Sequence, residues 1–310
     1  MTSSQDTKSR TYHFHQIDVC NMCGASDVDA STLGIRLDRS QGRSPNNISA
    51  GIGVIVRKCN TCGLIYSNPQ PVPESIDDHY KIPPEEYWTN VDYNVSPEYF
   101  QNQIETAKKL IAFEPGMKAL DVGLGLAKAA RAMRDAQFDV YGIEPSAPFF
   151  NKAIELTGGN KDNFQLASIE TAEFGQETFD FITFGAVLEH IYDPADALVK
   201  TLKWLKPNGI IHAEIPSSDH LISKIINTFF KAKGTNYVTN ISPMHTPYHL
   251  HEFTLKSFQN HGKIANYEIA NHKIDVCSIY NIPRIAHGPL KFWMKHSGRG
   301  MQLTVYLRKA

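Results

Sequence analysis

The sequence lacks the features that mark several broad classes of protein. No run approaches the ~18 apolar residues of a membrane-spanning helix, and the opening residues, MTSSQDTKSRTYHFHQ, contain no apolar core of a secretory signal. A net charge of -1 over 310 residues gives no reason to expect a generic binder of nucleic acid. Internal repeats and long low-complexity tracts are also missing. We therefore expect a cytoplasmic globular protein with no membrane span and no nucleic-acid partner, and the sequence leaves its oligomeric state open.

Cysteine is scarce but not scattered. Four of the five cysteines form two similar pentads, CNMCG at Cys20 and Cys23 and CNTCG at Cys59 and Cys62. In a reducing compartment such pairs indicate metal ligands rather than disulfides, although four unliganded thiols are the alternative. The pairs resemble the knuckles of a zinc ribbon, which implies a Zn²⁺ ion. Four thiolates would leave no open coordination position, so that metal is expected to be structural. We expect the fifth cysteine, Cys277, to be a buried small apolar residue.

The first 80 residues differ from the rest of the chain. Two strand-like runs, GVIVRK and LIYSNP, follow a polar stretch over 39–53, and proline-rich segments then form a connector. A helix is predicted over 96–113, with Ser96 as N-cap and Pro97 at its first position. The pattern predicts a zinc-ribbon-like domain over 1–80 and a linker with a helix over 81–114.

From Met117 onward, predicted strands and helices alternate. Strands KALDVG, DVYGIE, FDFITFG and GIIHAEIP are separated by helical patterns, and the helix DPADALVKTLKWL has Asp193 as N-cap and Pro194 at its first position. Alternation of this kind is typical of a parallel sheet with helices on both faces. After Pro216 an insertion over 217–252 precedes a further helix and two strands.

The segment LDVGLGLAK, residues 120–128, indicates a nucleotide-binding loop. Asp121 closes a strand, Gly123 and Gly125 make the turn, and a helix follows. The glycines allow a ligand to approach the backbone closely, and a helix N-terminus favours a carboxylate. Asp121 would repel a pyrophosphate but could interact with an ammonium group. Glu144 ends the next strand, 23 residues later, where a carboxylate can accept both hydroxyls of a ribose.

Together these motifs resemble the S-adenosylmethionine (SAM) loop of class I methyltransferases, with Ala127 in place of the last glycine. The resemblance extends over roughly 115–275 through FQLASIETAEF and FDFITFGAVLEHIYDP. It implies an α/β fold, a doubly wound, seven-stranded Rossmann-like sheet with an antiparallel last strand, over 115–310. It also implies SAM as cofactor, with contacts from Ser168, Ile169 and Gly185 besides the loop residues and Glu144. Ser168 stands where an acidic residue often meets the adenine amino group.

Histidines supply the candidate bases for methyl transfer. His190 follows the fourth strand, and His249 belongs to MHTPYHLHEFT in the insertion, which forms a lid over the substrate in related methyltransferases. Neutral imidazole is a suitable base for a hydroxyl near neutral pH. The alternative for His190 is a structural hydrogen bond. His245, His251 and Glu252 lie close to His249 in the chain, and a second metal site among them is imaginable.

The segment RKCNTCGLIYSNPQP, joined to the SAM-binding region, resembles bacterial methyltransferases with an N-terminal zinc-binding segment, some of which act on nucleotide sugars. The resemblance implies a SAM-dependent methyltransferase with a small-molecule or saccharide-type acceptor, including nucleotide-linked sugars. O-methylation is favoured over C-methylation. An RNA or protein methyltransferase that docks its substrate through the zinc ribbon is the first alternative, and a non-catalytic SAM-binding scaffold is the second. The basic, aromatic stretch PLKFWMKHSGR could contact a phosphate-bearing or membrane-surface substrate, or it could be an ordinary half-buried loop.

Overall fold

The computed structural model describes residues 11–37, 53–74, 77–87, 91–158, 161–279 and 282–310. The polar stretch over 39–53 therefore lies almost entirely outside the described residues. Within the described ranges no helix is both long enough and apolar enough to cross a membrane.

The strands of the N-terminal third are β1 Tyr12–His15, β2 Ser31–Leu37, β3 Gly53–Lys58, β4 Ile65–Ser67 and β5 Gln70–Pro73. Those of the remaining chain are β6 Lys118–Val122, β7 Asp139–Ile143, β8 Phe164–Gln165, β9 Phe179–Gly185, β10 Leu205–Pro216, β11 His251–Glu252, β12 Tyr267–Asp275 and β13 Gln302–Lys309.

The α-helices are α1 Asp77–Tyr80, α2 Pro84–Tyr87, α3 Gln101–Ile111, α4 Lys128–Asp135, α5 Ala147–Leu156, α6 Pro194–Trp204, α7 Leu221–Ala232, α8 Leu255–Ala265 and α9 His287–Ser297. Short 3-10 helices cover Asp27–Asp29, Leu188–His190 and Arg284–Ala286. The predicted cap of α6 is confirmed, since the Asp193 side chain accepts a hydrogen bond from the backbone of Asp196 and Pro194 begins the helix.

A seven-stranded sheet forms the body of the molecule, in the order β12-β13-β10-β9-β6-β7-β8. Strands β10, β9, β6, β7 and β8 pair in parallel, whereas β13 is antiparallel to both of its neighbours. The predicted fold class, with its antiparallel last strand, is confirmed. Parallel strands of this kind carry their ligand sites outside their carboxyl ends.

Side-chain alternation along the strands produces two separate cores. Ala119, Phe181 and Ile210 face α3 and α4 on one side of the sheet. The residue that follows each of these points to the other side, where a larger core includes α6 and α8. Both faces are therefore covered by helices, which is why the central strands are apolar throughout.

A second, antiparallel sheet connects the N-terminal third to the insertion. Its order is β11-β4-β3-β2, so the strand His251–Glu252 from the insertion pairs with Ile65–Tyr66. Cys20 and Cys62 are buried in the same apolar core as Leu198 and Phe258 of the large sheet's helices. The N-terminal third and the region of the seven-stranded sheet thus share one hydrophobic core.

Two predicted helix and loop assignments are wrong. The helix predicted from Ser96 begins at Gln101, because Phe100 adopts a left-handed backbone conformation (φ 62°) and packs its ring 5.4 Å from that of His212. The loop reading of PLKFWMKHSGR is also wrong. All but its last two residues lie in helix α9, where fully buried Met294 packs in the same apolar cluster as Ile222 of α7.

Two other local predictions are also wrong. Part of the proline-rich connector is strand β5, which pairs with β1 and tolerates its prolines because the two-stranded sheet has only edges. Cys277 is exposed rather than buried, and its thiol donates to Gln302 Oε1 at 3.3 Å.

Candidate active site

The glycine loop connects β6 to α4 through residues in left-handed backbone conformations. Gly123 has φ 79°, and a Cβ added there would lie only 2.7 Å from Val187 Cγ2. Gly125 has φ 51° and open space where a side chain would be. The turn is closed by the carbonyl of Ile143, which accepts from the N–H groups of Gly123 and Leu124 at 2.9 and 3.0 Å. The loop therefore needs glycine for backbone conformation at both positions, and for space at Gly123.

Ala127 replaces the third glycine of the motif and still adopts its backbone conformation. Its φ is 52°, in the left-handed region, immediately before α4 begins. Its methyl group is fully buried beside Leu124, Ala130 and Ala153. Packing of this methyl group offsets the conformational cost, so the departure from the glycine pattern leaves the loop shape intact.

Asp121 lies at the bottom of the loop with an unsatisfied carboxylate oxygen. The residue is 3% exposed, and among the described residues Oδ2 has no hydrogen-bond partner. Burial raises the pKa of Asp121 to about 8. A buried acceptor without a partner is uncommon in folded proteins, and a cationic group of a ligand would both satisfy it and restore its charge.

Glu144 lies at the carboxyl end of the neighbouring strand, β7, and is fixed by two backbone donors. Its Oε2 accepts from the N–H of Gly125 and its Oε1 from the N–H of Ser146, both at 2.9 Å. Burial raises its pKa, although these two hydrogen bonds oppose the effect. Each carboxylate oxygen keeps a further lone pair, so Glu144 can still accept two hydroxyl groups.

A cavity of about 630 Å³ opens beside this loop, well within the size range of cofactor sites. The structure brings all of the residues predicted to contact SAM into its wall: Asp121, Gly123, Gly125, Glu144, Ser168, Ile169 and Gly185. Ser168 and Thr171 hydroxyls lie 3.3 Å apart, and Ile169 is nearly buried. An acceptor for the ammonium group, an acceptor for the ribose diol and an apolar surface therefore line one space, which fits SAM.

Aromatic side chains that also line this cavity were not predicted to belong to the site. They are Tyr80, Tyr87, Tyr99, Phe149, Tyr192 and Tyr248. Tyr80 and Tyr87 lie in the segment interpreted as a connector, and the only available signal was the aromatic density of DDHYKIPPEEYW. Ser146 at the start of α5 donates to the Tyr80 carbonyl at 2.6 Å and so ties this segment to the sheet.

His190 is the predicted base that lines the large cavity. It ends the 3-10 helix after β9, and its Nδ1 lies 3.2 Å from the Tyr248 carbonyl oxygen and 3.3 Å from the Tyr80 hydroxyl. Because a carbonyl oxygen only accepts, we assign the proton to Nδ1, which leaves the Nε2 lone pair available. Desolvation lowers the pKa of His190 to about 4, so the ring is neutral at pH 7.

His249 is close to His190 but lines a different, smaller cavity. The two rings are 5.0 Å apart between centroids, and His249 Nε2 lies 3.9 Å from Oε1 of buried Glu189. Desolvation, with a smaller contribution from His190 and His245, lowers the pKa of His249 to about 3. Burial raises the pKa of Glu189 to about 8. The structure therefore separates the two predicted bases between two cavities that share a wall.

Comparison with known proteins identifies the family. A family model described as a methyltransferase domain matches residues 94–272, which is more than half of the chain. The chain belongs to this family. It carries a SAM-dependent methyltransferase domain whose glycine loop, Glu144 and His190 all lie within the matched residues.

Curated relatives are similar to parts of this methyltransferase domain. A phosphoethanolamine N-methyltransferase 2 from Caenorhabditis elegans is 29% identical over 119 residues, 37% of this chain and 27% of its own length. A ubiquinone biosynthesis O-methyltransferase from Photobacterium profundum is 37% identical over 98 residues, 30% of this chain and 41% of its own length. The chain thus spans less than half of the length of either relative.

Solved methyltransferase structures also resemble this methyltransferase chain. One from Mesorhizobium loti is 15% identical, covers 70% of this chain and all of its own, and has a TM-score of 0.48. Another, from Methanosarcina mazei, is 14% identical, covers 67% of this chain and 96% of its own, also with a TM-score of 0.48.

Four cysteine sulfurs meet in a cluster that could hold a metal ion. Cys20 Sγ lies 3.6 Å from Cys62 Sγ, and Cys23 Sγ lies 3.5 Å from Cys59 Sγ. All four sulfurs are within 4.8 Å of one another. A tetrahedral Zn²⁺ with Zn–S bonds of about 2.3 Å needs S···S separations of roughly 3.8 Å, so the sulfur positions are close to those of a tetrahedral site.

Of the four insertion residues considered for a metal site, His245, His249 and Glu252 line the smaller cavity, but each makes different contacts. His245 Nε2 lies 3.0 Å from Arg36 Nη2, His251 belongs to strand β11, and Glu252 accepts from Asn240 and Ile241. Glu189, His190 and His249 do come together, with one ligand atom each within 4.8 Å of the others. Within the part of the chain that the structure describes, this trio, rather than the four neighbouring residues considered from the sequence, is the group of metal-ligating atoms found besides the cysteines.

Proposed function

We propose that this protein is a methyltransferase that transfers the methyl group of SAM to a hydroxyl group of a small-molecule or saccharide-type acceptor. One observation carries the proposal. A single cavity is lined both by the complete predicted SAM-binding set and by His190. Bound SAM would supply a methyl group on an electron-poor sulfonium sulfur. The chain itself must hold the cofactor, orient the acceptor and remove a proton.

The proposed cofactor contacts follow from the chemistry of each side chain. Asp121 would pair with the ammonium group through Oδ2, which has no hydrogen-bond partner in the described parts of the chain. Glu144 would accept the ribose hydroxyls, because its carboxylate is held by the N–H groups of Gly125 and Ser146. Ser168 and Ile169 would contact the adenine, and Gly185 leaves open space at the end of β9.

His190 is the proposed base, with His249 as a positioning residue. Its Nε2 keeps a lone pair when Nδ1–H donates to the Tyr248 carbonyl, and neutral imidazole can accept the proton of an attacking hydroxyl. His249 packs on the His190 ring from the side of the smaller cavity. The low pKa of His190 keeps it unprotonated across the physiological range, so activity should not be lost by protonation of this ring until the pH falls towards 4.

O-methylation is favoured over C-methylation by this arrangement. A hydroxyl acceptor needs only one proton removed by one base, and His190 is the predicted base that lines the cavity wall. Among the curated relatives, the ubiquinone biosynthesis enzyme is named as an O-methyltransferase and the phosphoethanolamine enzymes as N-methyltransferases. Both names are compatible with a small-molecule acceptor. We further propose that the four-cysteine cluster binds structural Zn²⁺, since four thiolates fill a tetrahedral site.

Calorimetric titration with SAM and with its demethylated product tests the cofactor half of the proposal on zinc-quantified protein. We expect micromolar binding of both ligands. A panel of hydroxylated acceptors, beginning with nucleotide sugars, then tests turnover. No binding of either ligand to folded, zinc-loaded protein would contradict the proposed function.

Substitution of the two histidines tests the assignment of the base. His190→Gln keeps a hydrogen-bond donor and acceptor but should lower kcat by about 10²-fold or more, with SAM affinity unchanged. His249→Gln should have a smaller effect on kcat. Equal activity of wild type and His190→Gln would remove His190 from the chemistry, and a SAM-binding protein insensitive to both changes would instead be a scaffold.

A further inference from the structure

A second cavity, of about 260 Å³, lies between strand β2 and the insertion. Its wall is almost entirely polar and includes Arg36, Ser242, His245, Thr246, His249 and Glu252. The cavity is much larger than one water molecule needs. None of the residues predicted to contact SAM lies in this wall.

Arg36 projects into this cavity as a buried charge with an unused donor. The residue is 8% exposed. Its Nη1 donates to the Val238 carbonyl at 3.3 Å, and its Nη2 lies 3.0 Å from His245 Nε2. Within the described parts of the chain its Nε–H has no acceptor. Burial lowers the pKa of Arg36 only to about 10, so the guanidinium stays charged at neutral pH. A buried charged donor without an acceptor is costly, which points to a ligand that supplies one.

Glu252, also in the wall, does not satisfy this guanidinium. Its Oε2 accepts from Asn240 Nδ2 at 2.6 Å and its Oε1 accepts from the N–H of Ile241 at 3.0 Å. No carboxylate of the described residues lies within ion-pair distance of Arg36, so Glu252 acts on it only at longer range. The carboxylate has its donors, whereas the Nε–H of Arg36 lacks an acceptor among the described residues, so the missing partner is an acceptor atom such as an oxyanion oxygen.

The position of this cavity connects it to the proposed active site. Tyr248 and Leu250 face the large cavity, whereas His249 between them faces the small one. The rings of His249 and His190 are 5.0 Å apart across that wall. A ligand group bound to Arg36 would therefore be separated from the proposed base, His190, by the side chain of His249.

We propose that the small cavity binds an oxyanion, the phosphate or carboxylate of the methyl acceptor, through the guanidinium of Arg36 and the imidazole of His245. A planar guanidinium is suited to an oxyanion because its N–H groups match two oxygens at once. That the oxyanion belongs to the acceptor rests on the proposed function, whereas oxyanion binding itself does not. Substrate selection would then be shared between the methyltransferase domain and strand β2, which lies outside the residues matched by the family model.

Phosphorus-31 NMR titration of the zinc-loaded full chain with inorganic phosphate tests the site for phosphate binding. A parallel titration with acetate, monitored by its methyl proton signal, tests the site for carboxylate binding. Ionic strength is held constant with sodium chloride. We expect saturable binding of one of the two anions to the wild type, and the tighter one identifies the group. Arg36→Gln should weaken this binding by about tenfold or more, and Arg36→Lys should retain part of it because it keeps the charge but loses the planar fork.

Arg134→Gln is the matched control, because Arg134 is an exposed arginine in α4 that lines neither cavity. Its phosphate and acetate binding should equal that of the wild type. SAM affinity and zinc content are measured for every variant, and wild-type values in Arg36→Gln show that it is folded. Should Arg36→Gln lose either property, His245→Gln takes its place, with an expected loss of about threefold to tenfold in anion affinity.

The outcomes separate this inference from the proposed function. Wild-type protein that binds SAM but neither anion overturns the oxyanion site and leaves the methyltransferase proposal standing. Equal weakening in Arg36→Gln and Arg134→Gln indicates a general charge effect and also overturns it. Anion binding that depends on Arg36 in a protein that fails to bind SAM supports the site and contradicts the proposed function instead.

Discussion

Asp121 and Glu144 are carboxylates at the ends of adjacent strands, but their hydrogen bonding is different. Both oxygens of Glu144 are held by backbone N–H groups, whereas Oδ2 of Asp121 has no partner among the described residues. Burial alone would favour the protonated form of both. Glu144 is therefore ready to accept neutral hydroxyls, and Asp121 is the carboxylate that gains most from a cationic ligand.

Replacement of Asp121 tests this difference. Burial holds the pKa of Asp121 at about 8, so at pH 7 the empty site is mostly protonated and binding of a cation should release a proton. We expect SAM binding by the wild type to release about one proton, measured by calorimetry in buffers of different ionisation enthalpy. Asp121→Asn should bind SAM about tenfold or more weakly and release none.

Asp92→Asn provides the control for Asp121, because Asp92 also lines the cavity but is largely exposed and pairs with Lys128. Its SAM affinity should change by less than about twofold, since exposed ion pairs contribute little. Proton release that persists in Asp121→Asn would assign the titrating group elsewhere.

The two loop glycines allow conformational strain to be separated from steric overlap. An alanine at 125 would be strained only by the left-handed backbone conformation there (φ 51°). An alanine at 123 would be strained by its left-handed backbone (φ 79°) and also by a Cβ only 2.7 Å from Val187 Cγ2. We expect Gly125→Ala to lower the free energy of unfolding by about 1 kcal/mol and Gly123→Ala to lower it by about 2–3 kcal/mol in urea denaturation.

Val187→Ala in the Gly123→Ala background should recover part of that loss, because it removes the methyl group that the new Cβ would contact. Equal destabilisation by the two glycine substitutions would show that the Val187 side chain moves away from the new methyl group with no cost in the free energy of unfolding. The same series, followed by SAM titration, reports how far the loop shape controls cofactor affinity.

At the scale of elements, the strand His251–Glu252 joins the insertion to the N-terminal sheet. It pairs with β4. Two hydroxyl groups also bond to the turn that holds the second cysteine pair. Thr254 Oγ1 donates to the Cys62 carbonyl at 2.5 Å, and Ser218 Oγ donates to the Gly63 carbonyl at 2.9 Å. The predicted zinc-ribbon-like segment is therefore packed directly on the segment that positions His249. Loss of order at the cysteines should be transmitted to both cavities.

Cys62→Ser and Cys277→Ser form a matched pair for this element. Cys62 is fully buried in the four-sulfur cluster, whereas Cys277 is exposed. Cys62→Ser should abolish stoichiometric zinc binding, measured by metal analysis, and lower the Tm by roughly 10 °C or more, because a structural metal contributes directly to folding. Cys277→Ser should leave zinc content and Tm unchanged. Full stability of zinc-free Cys62→Ser would show that the cluster is dispensable.

At the scale of the whole molecule, buried titratable groups make stability depend on pH in two opposing ways. The described residues include six histidines whose pKa is lowered by burial, and two of these values, for His190 and His251, are about 4. Burial also raises the pKa of three carboxylates, with Asp121 and Glu189 at about 8. The histidines stabilise the fold above pH 6.5 and lose that contribution as the pH falls towards 4. The carboxylates stabilise it in acid and lose their contribution as the pH rises from about 4 to 8.

The histidines outnumber the carboxylates, so the free energy of unfolding should rise from pH 4.5 to a maximum near pH 6.5 and then fall towards pH 8.5. Urea denaturation at these three pH values measures it. Saturating SAM should reduce the fall above pH 6.5, because the ligand favours ionised Asp121. A steady rise up to pH 8.5 in the absence of SAM would contradict the raised pKa of the two buried carboxylates.

Much of the methyltransferase domain could be predicted because its signals are local. Gly123 and Gly125 mark a turn by their own backbone freedom, and the strands around Asp121 and Glu144 are read from runs of apolar residues. The predicted cofactor residues meet at one cavity because parallel strands bring their carboxyl ends to one edge. The predicted start of α3 and the predicted loop at α9 were wrong. Packing of Phe100 and of Met294 decides these two elements, and no local sequence pattern indicates that packing.

By itself the sequence determined the alternation of strands and helices, the glycine turn and the close spacing of the two cysteines within each pentad. Each of these features depends on residues that are close in the chain. Only the tertiary structure decided which histidine faces the large cavity, that His251–Glu252 completes the N-terminal sheet, and that Arg36 lies across from His245. These relations join residues as many as 209 positions apart. They depend on the three-dimensional path of the chain. Side-chain packing between segments that are distant in the sequence stabilises these arrangements over others.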